Sequence, residues 1–271
     1  METLTVLQQI LVVVSGVLVG FTLGLIGGGG SILAVPLLLY VVGYHNPHVV
    51  IGTTAVAVAT IAYINLIPHW RAGNVRWKPA LAFAFPGAIG AAIGASLGKL
   101  VPGNQLLFLF AFLMIAVAFS MLRPRKASTK PIRSGRAMLL WTIPVSFVVG
   151  LLSGFFGIGG GFLIVPGLLF ATGMPLLNAV GTSLFSVGVF GTTTAMTYAV
   201  SGLVNWLVVV EYIAGGWLGG MIGTRLAFYC GAQKDLLTRI FAGVVLIVAA
   251  YMLFMNISLF SHAFLSFVKW L

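Results

Sequence analysis

The feature that most constrains this chain is a succession of apolar runs separated by little more than glycine, proline and a few polar residues. They cover about 4 to 26, 31 to 43, 47 to 69, 79 to 98 and 104 to 122, then 137 to 157, 160 to 173, 176 to 198, 207 to 229 and 236 to 256. At roughly 20 apolar residues per bilayer crossing, a chain of 271 residues has no room for a sizeable soluble domain. Charged residues make up only 6% of it, against about a quarter in a soluble domain. The expected fold is an all-α integral membrane protein, multi-pass, in the plasma (bacterial inner) membrane. No basic region precedes the first run, because Glu2 stands there and the first Lys or Arg is Arg71. That run is expected to stay in the mature protein.

The balance of 14 Lys+Arg against 3 Asp+Glu is informative through its placement. Arg123, Arg125, Lys126, Lys130, Arg133 and Arg136 fall in one polar stretch between two apolar halves. Such a stretch is expected to be a cytoplasmic loop facing anionic lipid headgroups. Nucleic-acid binding would need a basic face interleaved with stacking aromatics on a folded module, which the sequence lacks. The expected organisation is a first membrane repeat at 1–122, a basic cytoplasmic loop at 123–136, a second repeat at 137–256 and an amphipathic tail at 257–271.

The two halves repeat each other. Gly20, Gly24, Gly27, Gly29, Gly30 and Pro36 recur in order as Gly150, Gly154, Gly157, Gly159, Gly160 and Pro166. After a slip of one residue, Gly52-Thr53 pairs with Gly181-Thr182, Gly73, Val75 and Trp77 with Gly202, Val204 and Trp206, and Gly90 and Gly94 with Gly219 and Gly223. An ordered series with tryptophan and proline in register marks a tandem duplication. If the glycine-rich stretch is a turn, each half holds about five helical segments and the second copy is inverted; if it only kinks one helix, the copies are parallel. Charge favours inversion, which leaves only Lys99 and Lys269 on the outer side, whereas the parallel arrangement moves Arg225, Lys234 and Arg239 there.

The glycine-rich stretches Gly24 to Ser31 and Gly154 to Gly161 match neither a phosphate loop nor a dinucleotide fingerprint, which need Lys-Ser/Thr or a third glycine at fixed spacing. In lipid, a break in helical backbone is tolerated only where it is buried or lines a hydrated cavity. Amides freed where the helices resume after Gly30 and Gly160 would attract an oxyanion, with Gly28, Gly29, Gly30 and Ser31 on one side and Gly159, Gly160 and Gly161 on the other. Thr53, Thr54, Thr182 and Ser183 form a second duplicated polar element whose hydroxyls can donate without carrying charge. Asn65 is a further polar candidate inside the third run. The alternatives are close helix packing for the glycines and back-bonding for the hydroxyls; packing accounts for Gly90, Gly94, Gly219 and Gly223.

Glu211, the only acid inside an apolar run, is a candidate for carrying a coupling proton; Na+ is the other coupling ion to consider. Arg225 reads as a snorkelling cation near the cytoplasmic end of its helix, with a counter-charge for substrate as the alternative. His45, His48, His69 and His262 show no metal-ligand spacing with carboxylates or Cys230, and no metal or other cofactor is expected. Ser31 and Ser183 could serve as nucleophiles only beside a base the pattern does not supply, so an enzyme is not expected.

On the stretch from Gly150 to Pro166 and its looser copy from Gly20 to Pro36, on the Gly-Thr elements at Gly52 and Gly181, and on the segment His69 to Trp77, the sequence resembles the TauE/SafE family of sulfite exporter-like membrane proteins. The resemblance runs over roughly residues 10 to 256. It implies a multi-pass secondary transporter of small sulfur-containing anions such as sulfite, sulfoacetate or organosulfonates, working by alternating access. A passive anion channel and, further off, an intramembrane enzyme are the rival expectations. Assembly into a homo-oligomer stays open. Gly28 and Ser31 differ from their partners Ile158 and Gly161, so the two half-sites need not be equal.

Overall fold

The computed structural model describes residues 4–122, 135–159, 161–229 and 241–255. Most of the basic loop, Cys230, Gly160 and the amphipathic tail lie outside the described residues. Among the described residues the protein is all-α, with seven helical stretches long and apolar enough to cross a bilayer. These are α1 (Val6–Ile26) with the segment after it, α3 (Pro47–Arg71), α4 (Trp77–Gly98), α5 (Gly103–Leu122), α6 (Gly135–Phe156), α8 (Leu176–Ala199) and α9 (Trp206–Tyr229). A short α2 (Ala34–Pro36), a 12-residue α7 (Gly161–Thr172) and α10 (Phe241–Met255) complete the set.

Local chemistry sets the boundaries. Thr5 and Gln8 close a capping box at the start of α1. Asn46 caps α3, accepting from the amides of His48 and Val49, with Pro47 in the first turn. At its other end α3 stops at Gly73, where Gly73 N–H donates to Trp70 O and Asn74 N–H to His69 O. The end of α8 repeats that geometry, with Gly202 bonded to Ala199 and Leu203 to Tyr198.

Both glycine-rich stretches are turns. After Ile26 the chain winds as a 3₁₀ helix over Gly27–Leu33, passes through α2 and finishes in π-helical winding over Leu37–Val41. It returns to where α1 began, because Gln8 Nε2 donates to Val42 O at 3.0 Å. In the second half α7 folds back along α6: Trp141 meets Phe170, with ring centroids 5.7 Å apart, and Gly167 lies against Val145.

The helices then pack across the halves. α1 runs parallel to α9, with Gly16 beside Tyr212, Gly20 beside Gly216 and Gly24 beside Gly220; a Cβ on any of these α1 glycines would strike α9 backbone. α4 runs parallel to α6 in the same manner, with Gly87 against Gly150 and Ala91 against Gly154. Between these pairs α3 and α8 cross antiparallel: Gly52 abuts Leu203, Gly191 abuts Ala55 and Ala59, and Gly181 abuts Asn74. Under the sequence duplication α1 corresponds to α6, α3 to α8 and α4 to α9, so exchanging the halves maps this set of interfaces onto itself. The glycines at Gly90, Gly94, Gly219 and Gly223 serve this contact, each facing a backbone carbonyl of the neighbouring helix. One end of the bundle carries Arg71, Arg76, Lys78, Arg136 and Arg225; Lys99 lies at the other.

Candidate functional site

The buried pair α3 and α8 receives both breaks. On α8, Val180 and Ser183 lie against Gly27, while Val187 and Gly191 lie against Gly159. From Ser183 to Val187 is a single turn, about 6 Å along the helix. Both breaks therefore converge on one side of α8, the first entering from the basic face and the second from the opposite face.

The first break makes its polar contact across the halves. Gly28 N–H donates to Ser183 Oγ at 3.2 Å, and that hydroxyl donates to Val180 O at 2.7 Å. Ser31 Oγ donates to Gly28 O at 3.1 Å. Because 3₁₀ winding begins at Gly27 with Ile26 as its N-cap, the amides from Gly29 onward are used in its own i→i+3 bonds. The donors at the mouth of this segment thus lie about one turn earlier than a helix starting after Gly30 would place them. Gly30 packs against Thr22 and Leu23 of α1, and the buried Gly29 lines a cavity of about 300 Å³. Leu25 and Ile26, the second half of α5, Phe162 and Pro166 of α7, and Val180 line that cavity, with Ser120 as its polar side chain.

At the second break, Gly157 N–H donates to Gly154 O and Ile158 N–H to Ser153 O, while the buried Ile158 side chain anchors the turn. A Cβ on Gly159 would stand 3.5 Å from Val58 and 3.6 Å from Gly191. Gly161 opens α7.

The remaining expected residues divide. Thr53 Oγ1 accepts from Asn205 N–H and Thr182 Oγ1 from Arg76 N–H, both at 3.0 Å, so each ties the loop before a helix of the other half to its own helix. Thr54 bonds back to Val50 O and Ile51 O. Asn65 donates to Gly20 O at 3.4 Å and abuts Gly220, joining α3 to α1 and α9 about two turns of α1 before Gly27. Glu211 is next to Tyr212, which packs on Gly16, so about three turns of α1 separate its level from the break. The hydroxyls of Ser31 and Ser183 bond to backbone groups among the described residues, not to an imidazole or carboxylate. No group of three or more candidate metal ligands occurs among the described residues.

Three buried polar residues near these elements escape a search for duplicated polar residues. Ser186 lies between the two contacts on α8, fully buried, and its hydroxyl has no hydrogen-bond partner among the described residues; Thr194 shares both properties two turns on. Their counterparts Ala57 and Asn65 differ in type, so the duplication hides them, although the spacing from Ser183 to Ser186 puts both on one helix face. His69 is buried, with Nε2 3.2 Å from Gly24 O, a last-turn carbonyl of α1 that the helix leaves without an internal donor.

A multi-pass helical bundle whose paired halves bring broken helices together in its interior has the architecture of a membrane transporter. Residues 12–252 match the family described as "Sulfite exporter TauE/SafE". The chain belongs to this family and is a membrane transporter of the plasma membrane. It is 51% identical over 252 residues to a "Probable membrane transporter protein" of Xylella fastidiosa, covering 92% of this chain and 97% of the relative. The "Probable membrane transporter protein YunE" of Bacillus subtilis is 30% identical, covering 80% of this chain and 88% of its own length. A Methanocaldococcus jannaschii relative with a name of the same form is 29% identical across 73% of this chain and 72% of its own. No solved structure matches the chain at a significant level.

Proposed function

We propose that the protein is a secondary transporter of small sulfur-containing anions, formed by two inverted repeats that rock about the central α3–α8 pair to give alternating access. The observation that carries this reading is the convergence of both breaks on one side of α8, with the buried Ser186 hydroxyl between them. Antiparallel packing of the equivalent helices α3 and α8 supports inversion. The Ser186 hydroxyl has no partner among the described residues, and the Gly28 amide and Ser183 hydroxyl would exchange their present bonds to Ser183 Oγ and Val180 O for a ligand oxygen; all three are donors that add no charge. A sulfonate-type oxyanion is a ligand of acceptors, and neutral donors hold it weakly enough for release.

The apolar cavity beside Gly29 narrows the substrate. A negative head near Gly28 and Ser183 would leave a short carbon chain against Leu25, Phe162 and Pro166, which favours organosulfonates over bare sulfite. Positive-inside placement makes the face bearing Arg71, Arg76, Lys78 and Arg225 cytoplasmic.

The test is a thermal-shift series on purified protein with sulfite, sulfoacetate, short alkanesulfonates, sulfate, carboxylates and chloride, followed by uptake into proteoliposomes. Sulfonates should give the largest shift, and Gly29→Val should abolish it in a folded protein. Equal shifts across all the anions would remove the sulfonate reading. Flux without saturation or counterflow would replace the carrier with a channel. Product formation that Ser183→Ala abolishes would replace it with an enzyme. Glu211→Gln, compared with and without a proton gradient, tests the coupling role of that carboxyl.

A further inference from the structure

The duplication supplies an internal control for the two poles of the molecule. At the opposite face, the loop before α9 meets the end of the first hairpin and closes: Asn205 Nδ2 donates to Tyr44 Oη at 3.0 Å, and Tyr44 and Val204 are buried. At the basic face, the equivalent loop before α4 meets the end of α7. Arg76 stands where Asn205 stands in the other half, Lys78 where Leu207 stands, and Met174 in place of Tyr44.

The tyrosine–asparagine plug is therefore absent from this pole, and a cavity of about 520 Å³ lies between Arg76, Trp77 and Lys78 on one side and Thr172, Met174 and Pro175 on the other. Its backbone frame is the same as at the closed pole: Arg76 N–H is tied to Thr182 Oγ1 as Asn205 N–H is to Thr53 Oγ1. The difference lies in the side chains, two of which are cations. The chain contains only Glu2, Glu211 and Asp235 as acids, and among the described residues no carboxylate pairs with Arg76 or Lys78. Trp77 is 38% exposed and stacks edge-on with Trp70, itself 57% exposed. Exposed tryptophans at this level mark the bilayer interface, where lipid phosphates lie.

We infer that the cavity between Arg76-Trp77-Lys78 and Thr172-Met174-Pro175 is a binding site for a phosphate ester, the headgroup of an acidic phospholipid of the surrounding leaflet. Arg76 and Lys78 supply the charge-assisted donors, and Met174, Pro175 and Val75 give the apolar floor on which the glycerol and first acyl carbons rest. The cavity adjoins the region around Gly28 and Ser183 through the bond from Arg76 N–H to Thr182 Oγ1, but neither Gly28 nor Ser183 lines it, and neither assignment depends on the other.

The experiment uses the full-length protein in neutral detergent micelles doped with phosphatidylglycerol or phosphatidylcholine, with soluble glycerol phosphate as a third arm. Phosphatidylglycerol should raise the melting temperature by about 3–5 °C over phosphatidylcholine. The double variant Arg76→Gln/Lys78→Gln should lose most of that difference, while Arg71→Gln, an exposed cation outside the cavity, should keep it. Stabilisation by glycerol phosphate as well would show that a free phosphate ester suffices; stabilisation by the lipid alone would assign the site to lipid. Should the double variant not be recovered folded, 0.5 M salt on the wild-type protein serves instead, and the difference should shrink strongly. Equal stabilisation by the two lipids, or a full phosphatidylglycerol effect retained in the double variant or at high salt, would overturn the inference.

Discussion

Gly27 and Gly157 occupy equivalent places at the ends of α1 and α6, and both adopt positive φ, 73° and 69°. Beyond them the two breaks part. After Gly157 the chain closes on its own helix, with Ile158 N–H returning to Ser153 O and the isoleucine side chain buried as an anchor. After Gly27 a glycine stands in place of that isoleucine, and the amide of Gly28 reaches across the halves to Ser183. Ser31, which has only Gly161 as counterpart, fastens the first break by bonding to Gly28 O. One duplicated stretch has thus become a self-capped turn in one half and a cross-linked 3₁₀ segment in the other. Small differences in side chain decide where a break spends its amides, and only amides not consumed by their own helix can meet a ligand.

Substitutions can break or sharpen this contrast. The largest effect is expected for Gly157→Ala, which forces a left-handed residue to carry a Cβ into the Ile51 side chain; a loss of about 2–4 kcal/mol should appear in detergent unfolding. Next comes the cross-half bond. Ser183→Ala leaves Gly28 N–H without its acceptor and should cost about 1–2 kcal/mol, whereas Thr54→Val at the equivalent place removes only bonds to its own helix and should stay within about 0.5 kcal/mol. Equal losses at Ser183 and Thr54 would mean that the two breaks are energetically alike.

At the poles, Tyr44→Phe removes the oxygen that accepts from Asn205 and should destabilise by about 1 kcal/mol, with no matching cost for Met174→Leu at the open pole. The smallest effect on stability is expected for Gly29→Ala. Its added methyl meets only Ile26 within 4 Å, so stability should change by less than about 1 kcal/mol while sulfonate affinity falls. An unchanged affinity would move the anion site away from the first break.

Much of this fold is legible in the chain. The bounds of α3, α4, α5, α8 and α9 fall within a residue or two of the apolar runs, because long hydrophobic stretches in lipid have no alternative to a helix. The glycine-rich stretches read correctly as interruptions. Their internal winding did not, since whether a tetraglycine run becomes loop or 3₁₀ helix depends on what Thr22 and Ser183 present to it. Thr53 and Thr182 stood out by duplication, yet their oxygens accept loop amides, a partnership made between residues far apart in the chain. Ser186 carries no duplicated signal and gains interest only from lying between two breaks that the fold brings to the same helix.

By itself the sequence determined the solvent, the helices, the duplication and the places where helical backbone must stop, all of which follow from local composition and spacing. The tertiary structure decided which amide meets which hydroxyl, that both breaks converge on α8, and that one pole is plugged while the other stays open. Those outcomes depend on pairing distant segments at ångström range, and a linear pattern of glycines and hydroxyls contains no measure of that distance.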